Sequence, residues 1–553
     1  MPTASTDTPW LDHDWSTLTY GSALRRCARL YPERKALVGM GRSMSFAELD
    51  RAADELAHGL SEMGVGRHDQ VAIWMTNCPD WVTCWMACAR LGAVLVTVNT
   101  RFKLEETEYI LRQSDAKVLI AMDQFWNIDF LGMIREMAPE SRDAAVGTLQ
   151  SQRLPSLRSI VLWESVEASG TTNLTKLRQE GANAIARGAQ LPPARPDDAV
   201  IIVYTSGTTG HPKGAMHSHQ ILRNSANISR VMHIEPGDVI LGHMPLYHVA
   251  GAITACSATV LLGCTLVTMA QWQPDEALEI IERERVSIFG GIPTHFIDCL
   301  DSIRRRPRDV SCLKSAWIGG APVTPDVALA VRDELGLKGL LAVYGMTETT
   351  AATTFSSFDD PLEILCENKG KPIGDFEVGV FDPASGRALD PGEIGEVRVR
   401  GHLVMLGYYK NPQATAEVIQ PDGWFRTGDL GSIDENGYLK ITGRLKEMFI
   451  VGGSNAYPAE IEKLLQAIEE IKQAVVVGVP DRRLGEVGYA FIQLHEGKTI
   501  VEAELIRRCR ASMADYKVPR FLRFVDDFPR TTTGKIQRFV LQREAREALE
   551  NKQ

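Results

Sequence analysis

Short apolar runs alternate with longer amphipathic segments through the first 440 or so residues of the chain. Runs such as Gln70–Met75 and Ser315–Gly319 are typical of strands, whereas Asp80–Leu91 and Pro274–Arg285 are typical of helices. This alternation predicts α/β layers with mainly parallel sheets, and ligand sites where strands run into Gly-rich loops. Further strands are expected at Gly92–Val98, Lys117–Ala121, Val239–His243, Thr265–Met269 and Val286–Gly290, and a further helix at Pro325–Leu335.

The pattern changes after Asp360. Glu377–Phe381 and Gly395–Arg400 are short alternating strands between Pro-Gly and Asp-Gly turns, which predicts a small β-rich subdomain. About a hundred residues follow Arg444, enough for a small α+β domain. We therefore expect an α/β fold with a large N-terminal domain at residues 1–444, which includes the β subdomain, and a small C-terminal domain at 445–553. Residues 139–197 have too weak a periodicity to predict elements.

The composition is that of a soluble globular protein. Of 553 residues, 44% are hydrophobic and 24% charged, and the net charge of −10 argues against nucleic acid as a partner. The N-terminus lacks the basic and apolar regions of a signal peptide. Val249–Met269 is broken by Gly251 and Gly263, so it is better interpreted as a buried helix followed by a strand than as a transmembrane segment. A cytoplasmic protein is expected.

Ten cysteines are scattered along the chain without a CxxC pair. Cys84 and Cys88 lie four residues apart in an expected helix, which raises the alternative of a metal site. No His or Asp cluster flanks them, so two small buried residues are the favoured interpretation. Reduced thiols fit the cytoplasmic expectation.

The segment from Tyr204 to Gly214 carries the strongest chemical signal. It follows an apolar run, Ala199–Val203, and its glycines, hydroxyls and lysine could all donate hydrogen bonds to a triphosphate. It is not a Walker A loop, because Lys213 is followed by glycine and an alternating stretch that predicts another strand. The alternative is a solvent-exposed Gly/Thr turn. The candidate phosphate-binding residues are Thr205, Ser206, Gly207, Thr208, Thr209 and Lys213.

A second segment spans residues 342–350. Tyr344 followed by Gly345 suits stacking on a flat base, Thr347 could donate to a phosphate oxygen, and Glu348 could bind Mg²⁺ through oxygen. A helix cap containing Thr and Glu would look similar.

Three further segments add candidates. Asp429, in a Gly-flanked turn, could accept both hydroxyls of a ribose, or could simply form a turn between strands. Arg444 and Lys446 precede Gly452-Gly453, a pattern that suits either a hinge or a solvated linker. Lys535 lies in a Thr/Gly loop, for which the alternative is a surface turn.

Together these segments resemble the adenylate-forming superfamily of acyl-CoA synthetases, peptide-synthetase adenylation domains and beetle luciferases. The resemblance extends from Phe46-Ala-Glu-Leu to Lys535-Ile-Gln-Arg, which is most of the chain. The segments that carry it, in order, are Thr205–Gly214, Tyr344–Glu348, Thr427–Asp429, Gly443–Lys446 and Gly534–Lys535.

The resemblance implies binding of ATP, Mg²⁺ and a carboxylic acid. In this family the carboxylate attacks the α-phosphate to form an acyl-adenylate and pyrophosphate, and a thiol then displaces AMP. Transferred to this sequence, Thr205–Thr209 and Lys213 hold the β- and γ-phosphates, Thr347 contacts the α-phosphate, and Glu348 binds the metal. Tyr344 and Gly345 face adenine, the wall Gly319-Gly320-Ala321-Pro322 completes that pocket, and Asp429 with Arg444 holds the ribose.

Lys535 resembles the adenylation lysine of the family, whose charge can bridge the carboxylate and the α-phosphate. The resemblance also implies that the C-terminal domain is mobile and rotates after adenylation, with Lys446 as the hinge. Gly452 and Gly453 would then line the tunnel of the thiol. The chain departs from the family at Glu447, where Asp or Ser is frequent.

The segment Pro245–Gly251 has no carboxylate where peptide-synthetase domains bind an ammonium group, which argues against an α-amino acid. His248 is a candidate for the mouth of the acid pocket, with helix capping as its alternative, and His295 is a second pocket candidate. Small apolar residues after His248 could line an acyl pocket or be plain core. They are Ala250, Ala252, Ile253, Ala255 and Cys256.

No carrier domain lies within the sequence, so we expect an ATP-dependent acid:CoA ligase for an apolar acid, whether medium-chain fatty, alicyclic or aryl. One alternative is a stand-alone enzyme that loads a carrier protein. A luciferase-like oxygenase and an inactive nucleotide-binding regulator are others, and the retained Lys213, Glu348, Asp429 and Lys535 argue against the regulator. Homodimers are common in relatives.

Overall fold

A computed structural model describes residues 13–205, 212–320, 323–337, 339–367, 369–451, 454–481, 483–530 and 536–550. The chain forms two compact units. One comprises Met1–Glu377 with Val399–Phe425, and the other comprises Val378–Arg398 with Arg426–Gln553.

Most of the helices begin at a capping residue or at proline. Ser45 and Glu48, for example, form a capping box at the start of the second helix. The helices are α1 (Tyr20–Leu30), α2 (Phe46–Glu62), α3 (Pro79–Leu91), α4 (Leu104–Gln113), α5 (Phe130–Met137), α6 (Leu174–Ala186), α7 (Ile221–Val231), α8 (Val249–Gly251), α9 (Pro274–Glu284), α10 (Pro293–Arg305), α11 (Pro325–Glu334), α12 (Leu362–Cys366), α13 (Pro412–Val418), α14 (Pro458–Gln466), α15 (Glu502–Ser512) and α16 (Arg538–Glu550).

The strands are short and mostly buried. They are β1 (Lys35–Gly39), β2 (Arg42–Ser45), β3 (Gln70–Trp74), β4 (Val94–Thr97), β5 (Val118–Ala121), β6 (Gln124–Phe125), β7 (Ile128–Asp129), β8 (Ser159–Leu162), β9 (Thr172–Asn173), β10 (Ala199–Thr205), β11 (Lys213–Ser218), β12 (Val239–Gly242), β13 (Thr265–Thr268), β14 (Ile288–Gly291), β15 (Ser315–Gly319), β16 (Gly339–Tyr344), β17 (Thr354–Phe355), β18 (Lys369–Pro372), β19 (Glu377–Phe381), β20 (Gly395–Arg400), β21 (Gly407–Tyr408), β22 (Phe425–Ile433), β23 (Leu439–Arg444), β24 (Phe449–Val451), β25 (Ser454–Ala456), β26 (Ile471–Asp481), β27 (Gly485–Leu494) and β28 (Phe521–Phe524).

Two sheets organise the first unit. One has the order β21-β11-β10-β4-β3-β5-β8-β9 and is parallel from β10 to β9. In the other, the run β16-β15-β14-β12-β13-β1 is parallel, and β2, β17 and β18 add antiparallel edges. Helix α3 is buried at every position except Asp80, and the indoles of Trp81 and Trp85 are fully enclosed. An all-round apolar helix of this kind belongs to the core.

The second unit contains a sheet of β25, β24, β27 and β26, to which β28 adds in parallel beside β27. Helices α14, α15 and α16 contribute Ile461, Leu465, Leu505, Cys509 and Leu541 to its core. The short antiparallel strands β22 and β23 belong to the β-rich region that the turn pattern predicts. The mixed α/β class, with a small α+β C-terminal part, is therefore confirmed.

The predicted strands and helices are present with ends shifted by a few residues, and the stretch after the Gly/Thr loop is strand β11, as expected. Residues 139–197 contain a 3-10 turn, β8, β9 and α6, which their weak periodicity did not reveal. Cys84 and Cys88 are both buried. In the described part of the chain, no helix is long and apolar enough to cross a membrane.

Helices α2 and α6 pack so closely that glycine is required at their contact. A Cβ at Gly181 would lie 1.7 Å from the carbonyl oxygen of Glu55. We predict that Gly181→Ala lowers the free energy of unfolding by about 1–3 kcal/mol, because this clash outweighs the higher helix propensity of alanine. Thermal or urea unfolding measures the change, with exposed Asn183→Ala on the same helix as the control. An unchanged or higher stability for Gly181→Ala would contradict the close packing.

Candidate active site

The strands on either side of the Gly/Thr loop are paired directly. Strands β10 and β11 are antiparallel, and their register places Thr205 opposite Lys213. The Thr205 hydroxyl lies 3.4 Å from the Lys213 carbonyl oxygen, to which it donates. Two of the predicted phosphate ligands thus emerge side by side at the base of the loop. The other four, Ser206, Gly207, Thr208 and Thr209, lie outside the described residues.

Polar side chains form hydrogen bonds with the residues on either side of this loop. The Tyr204 hydroxyl donates to the Gln113 side chain, whose amide donates in turn to the Tyr409 carbonyl at 2.9 Å. The Tyr109 hydroxyl donates to the Pro212 carbonyl at 3.2 Å, at the point where the chain leaves the loop. Burial raises the pKa of Tyr204, so its hydroxyl stays protonated and remains a donor.

The predicted adenine wall lies at the ends of two neighbouring strands. Gly319 of β15 pairs in register with Val343 of β16, the residue before Tyr344. Gly320 has a positive φ of 81°, and a Cβ at Gly345 would lie 2.1 Å from the Ala351 carbonyl oxygen. The described part of the predicted wall is therefore brought together. Ala321 and Pro322 lie outside the described residues.

Glu348 is a buried carboxylate held by a tyrosine. It lies in the 3-10 turn Thr347–Thr349 with 6% of its surface exposed, and the Tyr408 hydroxyl donates to its Oε1 at 2.8 Å. The Lys213 ammonium lies 5.1 Å from the centre of the Tyr408 ring. No lysine or arginine in the described chain forms an ion pair with Glu348. A buried carboxylate without a protein cation fits Mg²⁺, which prefers one or two carboxylates together with phosphate oxygens.

A buried histidine connects the strand after the loop to this turn. His217 of β11 is buried, and its ring lies near enough to the backbone of Thr347 to interact with it. Burial lowers its pKa to about 4, so the ring is neutral at physiological pH. His217 thereby links the strand that carries Lys213 to the turn that carries Thr347 and Glu348.

The predicted ribose pair is formed within the second unit. Asp429 of β22 and Arg444 of β23 face each other in register, with 3.0 Å between Oδ1 and Nε. Asp429 is buried, and its backbone N–H donates to the Thr427 hydroxyl at 3.0 Å. Lys446 is exposed two residues beyond Arg444. Gly452, Gly453 and Lys535 lie outside the described residues.

The segment after β12 forms a buried helix, but not a regular α-helix. The short helix α8 continues into π-helical segments at Ala252–Ser257 and Thr259–Gly263, a geometry frequent at functional sites. His248 caps this helix, since its Nδ1 accepts from the Ala250 N–H at 3.3 Å. The capping alternative for His248 is therefore realised, and its place at an acid pocket stays a prediction.

His295 is paired with another histidine that the sequence did not single out. His295 Nδ1 lies 3.2 Å from Nε2 of the fully buried His243. Burial lowers the pKa of His295 to about 4 and that of His243 well below its usual value, so both rings are neutral. Trp272 packs on both rings and donates to Asp298 at 2.8 Å.

Comparison with known proteins identifies the family. Residues 24–409 match the AMP-binding enzyme family, and residues 460–535 match the AMP-binding enzyme C-terminal domain. The medium-chain acyl-CoA ligase ACSF2, mitochondrial, of Macaca fascicularis is 34% identical over 542 residues, which cover 95% of this chain and 86% of that protein. The Danio rerio protein of the same name is 34% identical, with 96% and 88% covered.

Solved structures agree with this assignment. The anthranilate CoA ligase AuaEII, in complex with anthranoyl-AMP, superimposes with a TM-score of 0.82 at 26% identity, covering 97% of this chain and 98% of that one. ATP-bound MatB from Rhodopseudomonas palustris gives a TM-score of 0.82 at 29% identity, covering 96% and 100%. The chain belongs to the AMP-binding enzyme family of adenylate-forming enzymes. Within it, the chain is an AMP-forming acyl-CoA ligase.

Tyr408 was not predicted, because its contact with Glu348 joins residues 60 positions apart and has no local sequence signal.

We predict that Tyr408→Phe raises the Mg²⁺ concentration needed for half-maximal adenylation about tenfold, since the carboxylate loses the donor that orients it. Acid-dependent pyrophosphate exchange at varied Mg²⁺ measures this. Tyr409→Phe, at the adjacent tyrosine that donates to Asp115, is the matched control and should keep the normal requirement. Equal Mg²⁺ curves for Tyr408→Phe and the unaltered protein would refute the orienting role.

Proposed function

We propose that this ligase joins an apolar carboxylic acid to CoA, through an acyl-adenylate and with release of pyrophosphate and then AMP. The acid is medium-chain fatty, alicyclic or aryl. The observation that carries the choice of acid is the apolar lining of a cavity of about 10 Å³ in the first unit, between the helix that begins at Val249 and the parallel sheet. A volume of this size holds about one water molecule, so side chains of the lining must move to admit an acid. Apolar side chains make most of its lining, among them Met232, Leu241, Met244, Ala255, Phe289 and Trp317.

The polarity of this cavity favours an acid without a second charge. In the described chain its lining includes no charged side chain, and Thr254 uses its hydroxyl on the Ala250 carbonyl within the helix. An extra charge in such a lining would lose hydration without gaining a partner, whereas an alkyl or aryl group gains from burial. Of the small helix residues proposed to line an acyl pocket, Ala250 and Ala255 line this cavity, and Ala252, Ile253 and Cys256 are buried.

Trp317 limits the size of the acid. It lies on β15 opposite Gly290 of β14, and a Cβ at Gly290 would lie 2.1 Å from the indole nitrogen. Glycine at 290 therefore makes room for the indole, which fills space that a smaller side chain would leave to the ligand. This favours acids of medium rather than long chain.

The residue roles in this proposal follow the family. Thr205, Lys213 and the loop between them bind the β- and γ-phosphates, and Tyr344 faces adenine. Mg²⁺ held by Glu348 would add positive charge beside the phosphates. Asp429 and Arg444 hold the ribose, and Lys535 bridges the acid and the α-phosphate. The hinge at Lys446 separates residues 1–444 from 445–553, and Gly452 and Gly453 line the path of CoA.

CoA is the proposed acceptor because ACSF2 and AuaEII, to which this chain is similar, are both named for CoA. The alternative acceptor is a separate carrier protein. The proposal also includes a cytoplasmic location and a homodimer. Size-exclusion chromatography with light scattering would test the homodimer.

Pyrophosphate release with Mg·ATP over a panel of carboxylic acids, each with and without CoA, tests the function. We expect CoA-dependent turnover that is highest for an uncharged medium-chain, alicyclic or aryl chain. Adenylate formation that CoA does not consume, followed by transfer to a carrier protein, would select the alternative. Preference for a dicarboxylic acid would contradict the assigned cavity.

A second prediction concerns Trp317. Trp317→Ala should move the optimum to longer or bulkier acids and raise kcat/KM for them about tenfold, because each added methylene then finds apolar space. The measurement is kcat/KM across straight-chain acids, corrected for the folded fraction. Trp163→Ala removes a half-buried indole elsewhere in the same unit, bonded to Asp80, and should leave the profile unchanged. An unchanged profile for Trp317→Ala would show that the cavity is not the acid site.

A further inference from the structure

Glu447, the residue at which the sequence departs from its family, makes a specific contact. Its Oε2 lies 3.3 Å from Nε of Arg538, and its backbone N–H donates to the Arg444 carbonyl at 3.0 Å. Burial raises the pKa of Glu447, while the positive charges of Arg538 and Arg444 act in the opposite direction. Glu447, next to the proposed hinge at Lys446, is therefore ion-paired with Arg538, which lies 91 positions later in the sequence.

Arg538 has a second carboxylate partner. Its Nη1 and Nη2 donate to the two oxygens of Glu462 at 2.5 and 2.7 Å, and Nη1 also lies 3.2 Å from the Val476 carbonyl oxygen. Glu462 is buried and accepts from the Val476 N–H at 2.7 Å. Burial alone would lower the pKa of Arg538, but the carboxylates of Glu462 and Glu447 raise it. The guanidinium is thus held by helix α14, strand β26 and the residue after the hinge.

Arg538 also stands at the base of the loop that carries Lys535. Arg530 and Ile536, the described residues on either side of the segment that carries Lys535, form an antiparallel bridge. The Gln537 N–H donates to the Pro529 carbonyl at 2.8 Å. Arg538 is the first residue of α16, so it fastens the described chain that leaves this loop.

We propose that Arg538 is a positioning residue for Lys535, and that Glu447 and Glu462 hold it in place for the adenylation step. The inference rests on the proposed function, in which Lys535 bridges the acid and the α-phosphate. Since Arg538 lies three residues after Lys535, a shift at its side chain moves the base of the loop. Displacement of a charge by about 1 Å can cost about a hundredfold in rate. The ion triad of Arg538, Glu447 and Glu462 therefore supports adenylation. Thiolation does not need Lys535, so its rate should change little when the triad is altered.

The test separates the two half-reactions in four variants. Arg538→Lys keeps the charge but loses the planar fork that binds two carboxylates. Glu447→Gln keeps the side-chain volume at the more exposed end of the triad. Arg543→Lys is the matched control, because Arg543 lies on the same helix and forms an exposed ion pair with Glu547. Lys535→Ala establishes how far adenylation falls without the lysine.

We expect Arg538→Lys to slow acid-dependent pyrophosphate exchange about 10- to 100-fold and Glu447→Gln about 3- to 10-fold. Thiolation of a supplied acyl-adenylate should stay within about twofold in both, as should both half-reactions in Arg543→Lys. Circular dichroism confirms that each variant is folded. If Arg538→Lys does not fold, Glu447→Gln decides by the same criterion.

The outcomes distinguish this inference from the proposed function. If Lys535→Ala adenylates normally, the assigned role of Lys535 fails, and the positioning of that lysine by Arg538 falls with it. If Lys535→Ala is slow while folded Arg538→Lys and Glu447→Gln adenylate at the normal rate, only the positioning role is overturned. Equal losses in both half-reactions of Arg538→Lys would also overturn it, because they would mark a purely structural residue.

Discussion

The antiparallel pairing of β10 and β11 is the constraint on which the nucleotide site depends. It brings Thr205 and Lys213 together in register, so the polar loop between them starts and ends at fixed points. The same two strands carry Tyr204, which is braced by Gln113, and His217, which reaches the backbone of Thr347. Phosphate ligands that are already placed bind without the conformational entropy cost of ordering them on binding.

A second constraint follows from the burial of Glu348 in the 3-10 turn Thr347–Thr349. Glu348 is buried, and its described hydrogen-bond donor is a neutral tyrosine rather than a protein cation. In the second unit, by contrast, Glu462 is buried against the guanidinium of Arg538. The first arrangement leaves a carboxylate that gains from an incoming metal, and the second neutralises its charge permanently. Burial of a carboxylate therefore has opposite meanings in the two units, and the partner decides which applies.

The sequence predicted the elements that have strong local signals. The run Ala199–Val203 and the helix Pro274–Arg285 were found because apolar periodicity and proline at a helix start are local properties. The elements of residues 139–197 were not predicted, because β8 has only four residues and β9 two. Helix α6, which follows β9, has a modest apolar face. The π-helical segments of residues 252–263 also escaped, since helix periodicity does not distinguish a widened turn. Tyr408 and the partners of Arg538 depend on contacts between distant segments.

The same reasoning explains why the candidate nucleotide residues form motifs in the sequence, whereas only Ala250 and Ala255 of the proposed acid cavity were predicted from it. Phosphate and ribose require particular groups, such as glycine N–H, hydroxyl, ammonium and carboxylate, so their sites leave residue-specific motifs. An apolar wall requires only the right volume and shape, which many combinations of residues provide. Trp317 is an example. Glycine is needed at position 290 because the indole of Trp317, on the neighbouring strand, occupies the space that a Cβ would take. Substrate range in such an enzyme can therefore change through single volume exchanges in the wall, while the motifs that activate the acid stay constant.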